Sequence, residues 1–87
     1  MKGAFMNLVA RIRQLLSDYD SGNDYVLDVH ATDHQQICAT VAIKTRSSGN
    51  AHSAAVEGAR LLQANGFCLL YHPFKESPFE SRFIVCR

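Results

Sequence analysis

The stretch that most constrains this chain runs from Gly49 to Gly66: Gly49-Asn50-Ala51-His52-Ser53-Ala54-Ala55-Val56-Glu57-Gly58-Ala59-Arg60-Leu61-Leu62-Gln63-Ala64-Asn65-Gly66. Its spacing predicts one helix with a start, a buried face and a stop. Asn50 or Ser48 can accept a bond from the first free N–H groups, as an N-cap does. Gly66 stands where a left-handed residue ends a helix. Ala51, Ala54, Ala55, Gly58, Leu61 and Leu62 recur at helical spacing and form one stripe. The stripe is almost free of side chains over its first two turns, so the helix can lie close to what it covers. Gly58 costs about 1 kcal/mol of helix propensity relative to Ala, and close approach is the expected compensation.

Such a helix needs a layer to cover, and the rest of the chain must supply it. The chain has 87 residues, of which 47% are hydrophobic. That suits one domain, 1–87, with a single core that needs no metal or disulfide. Residues 4 to 18 predict a first helix. Phe5, Leu8, Val9, Ile12, Leu15 and Leu16 lie on one face, with Asn7, Arg11, Gln14 and Asp18 opposite. This amphipathic face is read as packing on the domain's own sheet. Asp20-Ser21-Gly22-Asn23 is a turn signal.

Residues 25 to 30 alternate, with Tyr25, Leu27 and Val29 on one side. Residues 36 to 45 alternate as well, with Ile37, Ala39, Val41 and Ile43 on one side and Cys38, Thr40, Ala42 and Lys44 on the other. The Thr32-Asp33-His34 segment between them suits an antiparallel hairpin. Residues 67 to 72 form a short apolar run, read as a well-covered strand. Residues 73 to 81 are expected to be a loop bracketed by Pro73 and Pro78, and residues 82 to 86 a last strand. The order is helix, strand, strand, helix, strand, strand. It implies a two-layer α+β domain with a four-stranded sheet and both helices on one face. The middle helix would make a right-handed crossover between two hairpins.

With one face under the helices, the other is left over, and it is not cleanly polar. Val26, Cys38 and Ala42 fall on it among Asp24, Asp28, His30, Thr40 and Lys44. A mixed face of this kind points to a partner, either another protein or a second copy. Phe74 and Phe79 each follow a proline in the 73–81 loop and are candidate anchors. Lys44, Arg46, Lys75 and Arg82 could serve the rim. The candidate partner-binding residues are therefore Phe74, Phe79, Lys75, Arg82, Val26, Cys38 and Lys44.

Catalytic and cofactor chemistry finds little support. The histidines are His30, His34, His52 and His72. His30 with His34, and Cys68 with His72, are four apart, which on a strand is roughly 13 Å, too far to share an ion. No cysteine and histidine are locally arranged for nucleophilic activation, so no catalytic residue, metal or cofactor is expected. The loop before the central helix, with Arg46, Ser48 and Gly49, could hold an anion at free N–H groups, although it lacks a P-loop ending. Cys38, Cys68 and Cys86 are an odd, widely spaced set, read as reduced and mostly buried residues of a cytoplasmic protein. No apolar run reaches the roughly 20 residues of a membrane span. The first residues do not read as a signal peptide. A net charge of +1 argues against a protein that depends on phosphate attraction.

Two resemblances bear on function. Residues 36 to 64, with Lys44-Thr45-Arg46-Ser47-Ser48-Gly49 before Ala54-Ala55-Val56-Glu57-Gly58-Ala59, resemble the end of a double-stranded-RNA-binding domain. That resemblance implies nucleic-acid binding. The departure is that His52, Ser53 and Ala54 stand where that family places phosphate-clamping lysines. In size and element order the chain also looks like small accessory proteins of phages and mobile elements, including anti-CRISPR inhibitors. The function expected is a small non-catalytic interaction module, acting through a sheet face and the 73–81 loop, possible also as a homodimer.

Overall fold

A computed structural model describes residues 7–20 and 24–87. Phe5, Ser21, Gly22 and Asn23, which carry part of the first helix and the first turn in the sequence reading, lie outside the described residues. The first helix, α1, spans Leu8–Leu15. The Asn7 side chain accepts the Ala10 N–H at 2.7 Å and so caps it. Leu8, Ile12 and Leu16, four apart, are all buried. The expected helix over 4–18 is thus shorter at its end, where a 3₁₀ turn, Ser17–Tyr19, follows.

Strand β1 covers Tyr25–Ala31 and β2 covers Cys38–Thr45; they pair antiparallel from Tyr25–Thr45 to Ala31–Ala39. Their connection, 32–37, is longer than the expected tight hairpin. The Asp33 carboxylate accepts the Ile37 N–H at 3.1 Å. Gln36 takes a left-handed φ of 56° and its side-chain oxygen accepts the Leu8 N–H at 3.1 Å. This loop therefore helps to satisfy the start of α1.

The central helix, α2, spans Ala51–Ala64. It ends as the sequence predicts. Gly66 has φ 94°, the Gly66 N–H bonds the Gln63 carbonyl, and the Phe67 N–H reaches back to the Leu62 carbonyl. Those two bonds are the Schellman pair. The buried stripe is Ala51, Ala54, Ala55, Gly58, Ala59 and Leu62. Leu61, expected in the stripe, is exposed, and Ala59 takes its place.

Strand β3 runs over Cys68–Ser77 and β4 over Glu80–Cys86. The expected 73–81 loop is thus mostly strand: β3 continues through Pro73, and only residues 78 and 79 turn. Proline is tolerated there because β3 is an edge strand. The sheet order is β1-β2-β4-β3, with every neighbouring pair antiparallel. Hence β2 and β3 run parallel, with α2 crossing between them and β4 inserted in the gap. Register slips between Leu69 and Tyr71, Tyr71 and Phe74, and Lys75 and Ser77 bulge β3 against β4. Bulges on an edge strand also discourage pairing with another chain.

Both helices lie on one face of this antiparallel sheet. One core joins Leu8, Ile12 and Leu16 of the first helical segment to Ala54, Ala55, Ala59 and Leu62 of α2. From below come Leu27 and Val29 (β1), Ala39, Val41 and Ile43 (β2), and Phe83 and Val85 (β4). The α+β architecture and the α-β-β-α-β-β order are those read from the sequence.

Candidate interaction surface

Alternation fixes which residues look away from the helices. Across β2 and β4 they are opposed as Cys38–Cys86, Thr40–Ile84, Ala42–Arg82 and Lys44–Glu80. On β1 they are Val26, Asp28 and His30. On β3, register pairs Tyr71 with Ile84 and Phe74 with Arg82, so both rings join the reverse face. Tyr71 is 63% exposed and Phe74 64%. Together with Thr40, His72, Arg82, Phe83 and Ile84 they line an open groove of about 480 Å³.

The two halves of this face differ. Along β1, β2 and β4 the charges are matched: Lys44 Nζ on β2 lies 2.8 Å from the Asp28 carboxylate on β1, and Arg82 Nε lies 2.7 Å from the carboxylate of Glu80 on the same strand, β4. The bond from Lys44 lowers the Asp28 pKa, and the same contact raises that of Lys44. The Glu80 carboxylate likewise raises the Arg82 pKa. Toward β3 the surface is aromatic and apolar.

The backbone under Phe74 is held from the other side of the sheet. Ser81, fully buried on β4, donates its hydroxyl to the Phe74 carbonyl at 3.0 Å. His52 Nδ1, from the first turn of α2, lies 3.0 Å from the same Ser81 oxygen. With the hydroxyl proton given to Phe74, the His52 Nδ1–H is the donor to Ser81. The chain of bonds runs from helix to hidden serine to the strand that bears the ring. It positions Phe74 and gives the serine no free proton.

No protein-family model matches this chain, and no curated protein or solved structure was found to match it.

The other residues singled out in the sequence are dispersed. Phe79 sits in the β3–β4 turn, 46% exposed, and its carbonyl accepts the Thr45 N–H at 2.9 Å. Lys75 pairs in register with Ser81, so it is on the helix side of the sheet and apart from Phe74. Val26 lies at the far edge, opposite Lys44. Cys38 is joined to Cys86 by a disulfide, against the expectation of reduced cysteines, and Cys68 is free and exposed. The directly opposed register of Cys38 and Cys86 is the physical reason.

The expected anion loop is filled by the protein's own carboxylate. Asp24 accepts the N–H groups of Arg46 (3.1 Å), Ser47 (2.8 Å) and Ser48 (3.1 Å), and the Ser47 hydroxyl at 3.0 Å. The Ser48 hydroxyl does most to lower its pKa to about 2; partial burial opposes, and the Ser47 donors and Ser48 N–H assist. Gly49, at φ 74°, turns the chain from this nest into α2. Among the described residues no group of three or more His, Cys, Asp or Glu side chains could hold a metal ion, and no helix is long and apolar enough to cross a membrane.

Tyr71 is the surface residue that the sequence pattern does not place on this face. Tyr71 stood in an apolar run whose parity was unreadable, because bulges later in β3 change which residues share a face.

Proposed function

We propose that this chain is a small non-catalytic interaction module that meets a protein partner through the β3 half of its reverse sheet face. One observation carries the reading: Tyr71 and Phe74, both nearly two-thirds exposed, share one face beside Ile84 and a groove. Aromatic side chains gathered around a concavity are typical anchors of protein interfaces. The rim supports the same reading. Arg82, which lines the groove, and Lys44 on the same face are already bound to Glu80 and Asp28. A surface for nucleic acid would offer cations to phosphate, so we favour protein over RNA or DNA. The cytoplasmic setting expected from the sequence belongs to this proposal, and there the Cys38–Cys86 bridge would be transient.

A second copy of this chain is the first partner to test. Light scattering over a concentration series should show association in the wild type. Phe74→Glu, a change at an exposed position, should leave the circular dichroism and melting temperature near wild type and abolish association. A monomer at every concentration would leave a different protein as the partner. Association unchanged by both Phe74→Glu and Tyr71→Glu would refute this face as the interface.

A further inference from the structure

The reverse face also carries all three cysteines in one row. Cys86 on β4 lies directly opposite Cys38 on β2 and directly opposite Cys68 on β3. Directly opposed residues of antiparallel strands point to the same face. The sulfur-bearing side chains therefore run in the order Cys68, Cys86, Cys38 across three neighbouring strands. Cys38 and Cys86 are bonded, with Cα atoms 4.0 Å apart, and Cys68 is a free, exposed thiol.

The backbone hydrogen bonds show why Cys86 can serve either neighbour. The Arg87 N–H bonds the Ile37 carbonyl at 2.8 Å, so residues 37 and 87 form a hydrogen-bonded pair. One residue further in, Cys38 and Cys86 form the alternate, non-hydrogen-bonded pair, where strands bring Cα atoms closest. The N–H and C=O of Cys86 consequently point toward β3. On that side it forms the wider pair with Cys68, with Cα atoms expected about 5.5 Å apart. That separation is near the mode for disulfides. Cys38 lies two strand spacings from Cys68, roughly 9–10 Å, beyond direct bonding.

We propose that the three cysteines form a thiol–disulfide exchange site in which Cys86 alternates between Cys38 and Cys68. The Cys68 thiol first loses its proton to solvent. Its thiolate attacks Cys86 Sγ, a Cys68–Cys86 bond forms, the Cys86–Cys38 bond breaks, and the electron pair leaves on Cys38, which takes up a proton. One disulfide and one thiol are present before and after, so no oxidant is needed. The order of the row places the attacking and leaving sulfurs on opposite sides of the central one, as displacement requires. The exchange moves the bridge from the inner strand pair to the edge strand that carries Tyr71 and Phe74. Its exposed end, Cys68, is where an external thiol or disulfide would enter.

Trapping the free thiol tests this directly. The oxidised chain is held without reductant at mildly alkaline pH, acidified, alkylated with N-ethylmaleimide and digested with trypsin for mass spectrometry. Lys44, Arg60, Lys75 and Arg82 put the three cysteines on separate peptides. The expected result is label on Cys38 together with a Cys68–Cys86 bridge, absent at the start and growing with incubation. Cys68→Ser should abolish that species and keep the Cys38–Cys86 bridge. Cys38→Ser, treated with oxidised glutathione, should close a Cys68–Cys86 bridge within one chain. Label confined to Cys68 at all times, or a Cys38→Ser protein that yields only glutathione adducts or covalent dimers, would overturn the proposal.

Discussion

Asp24 shows what a single residue can do by collecting donors that a loop would otherwise leave to solvent. The Ser48 hydroxyl, with the N–H and hydroxyl of Ser47 and the N–H of Ser48, holds its carboxyl at about 2, against an ordinary 3.8. A carboxyl whose folded pKa is depressed adds stability in full above the unfolded value. That contribution is lost as pH falls from about 4 toward 2. Asp24→Asn should therefore lower the melting temperature at neutral pH. The gap from wild type should close as both are acidified through that window, which melts over a pH series would show. Thr45 is the converse case. Its hydroxyl oxygen is buried and finds no hydrogen-bond partner among the described residues. Thr45→Val keeps the shape and removes the unpaired group, so stability should rise by about 1 kcal/mol in a denaturant titration. Neither residue announces its role in the sequence. Asp24 reads as a polar residue on the reverse face of the sheet, and Thr45 as an ordinary strand residue.

At the scale of elements, α2 is the segment whose sequence and structure agree best. Its Gly58 suggested close approach to what the helix covers, and Ile43 and Leu16 do come up to it. A Cβ placed there would lie 3.4 Å from Ile43 Cδ1 and 3.4 Å from Leu16 Cδ2, an ordinary contact with two side-chain ends. Gly58→Ala should then recover most of the propensity difference and stabilise the fold by up to about 1 kcal/mol. Gly58→Leu should overpack the same place and cost roughly 1–3 kcal/mol. Chemical denaturation of the two variants gives opposite signs if this packing is right. Strand β3 is the element least legible beforehand. Pro73 and Pro78 are loop signals by composition, but an edge strand needs no N–H from Pro73 on its open side, and the bulges absorb the mismatch.

For the molecule as a whole, the bridge between β2 and β4 is the longest-range covalent constraint, closing a sequence separation of 48 residues. Loop-closure entropy for such a length is worth up to about 4 kcal/mol, with typical disulfides at about 2–4 kcal/mol. Reduction should lower the denaturation midpoint accordingly, compared with and without reductant. The chain should still fold, because the core beneath the helices is continuous and free of cysteine.

Periodicity along the chain determined the element order, the two-layer class and most of the buried faces. These follow from local repeats of 2 and 3.6 residues, which any segment carries on its own. Tertiary structure alone decided the rest. It placed β4 between β2 and β3, and thereby put Cys86 beside two other cysteines. It turned Tyr71 and Phe74 onto one face, and it spent the N–H groups of the Arg46–Ser48 loop on Asp24. Each of these depends on pairings between residues distant in sequence, and no local repeat encodes a strand's neighbour or its register.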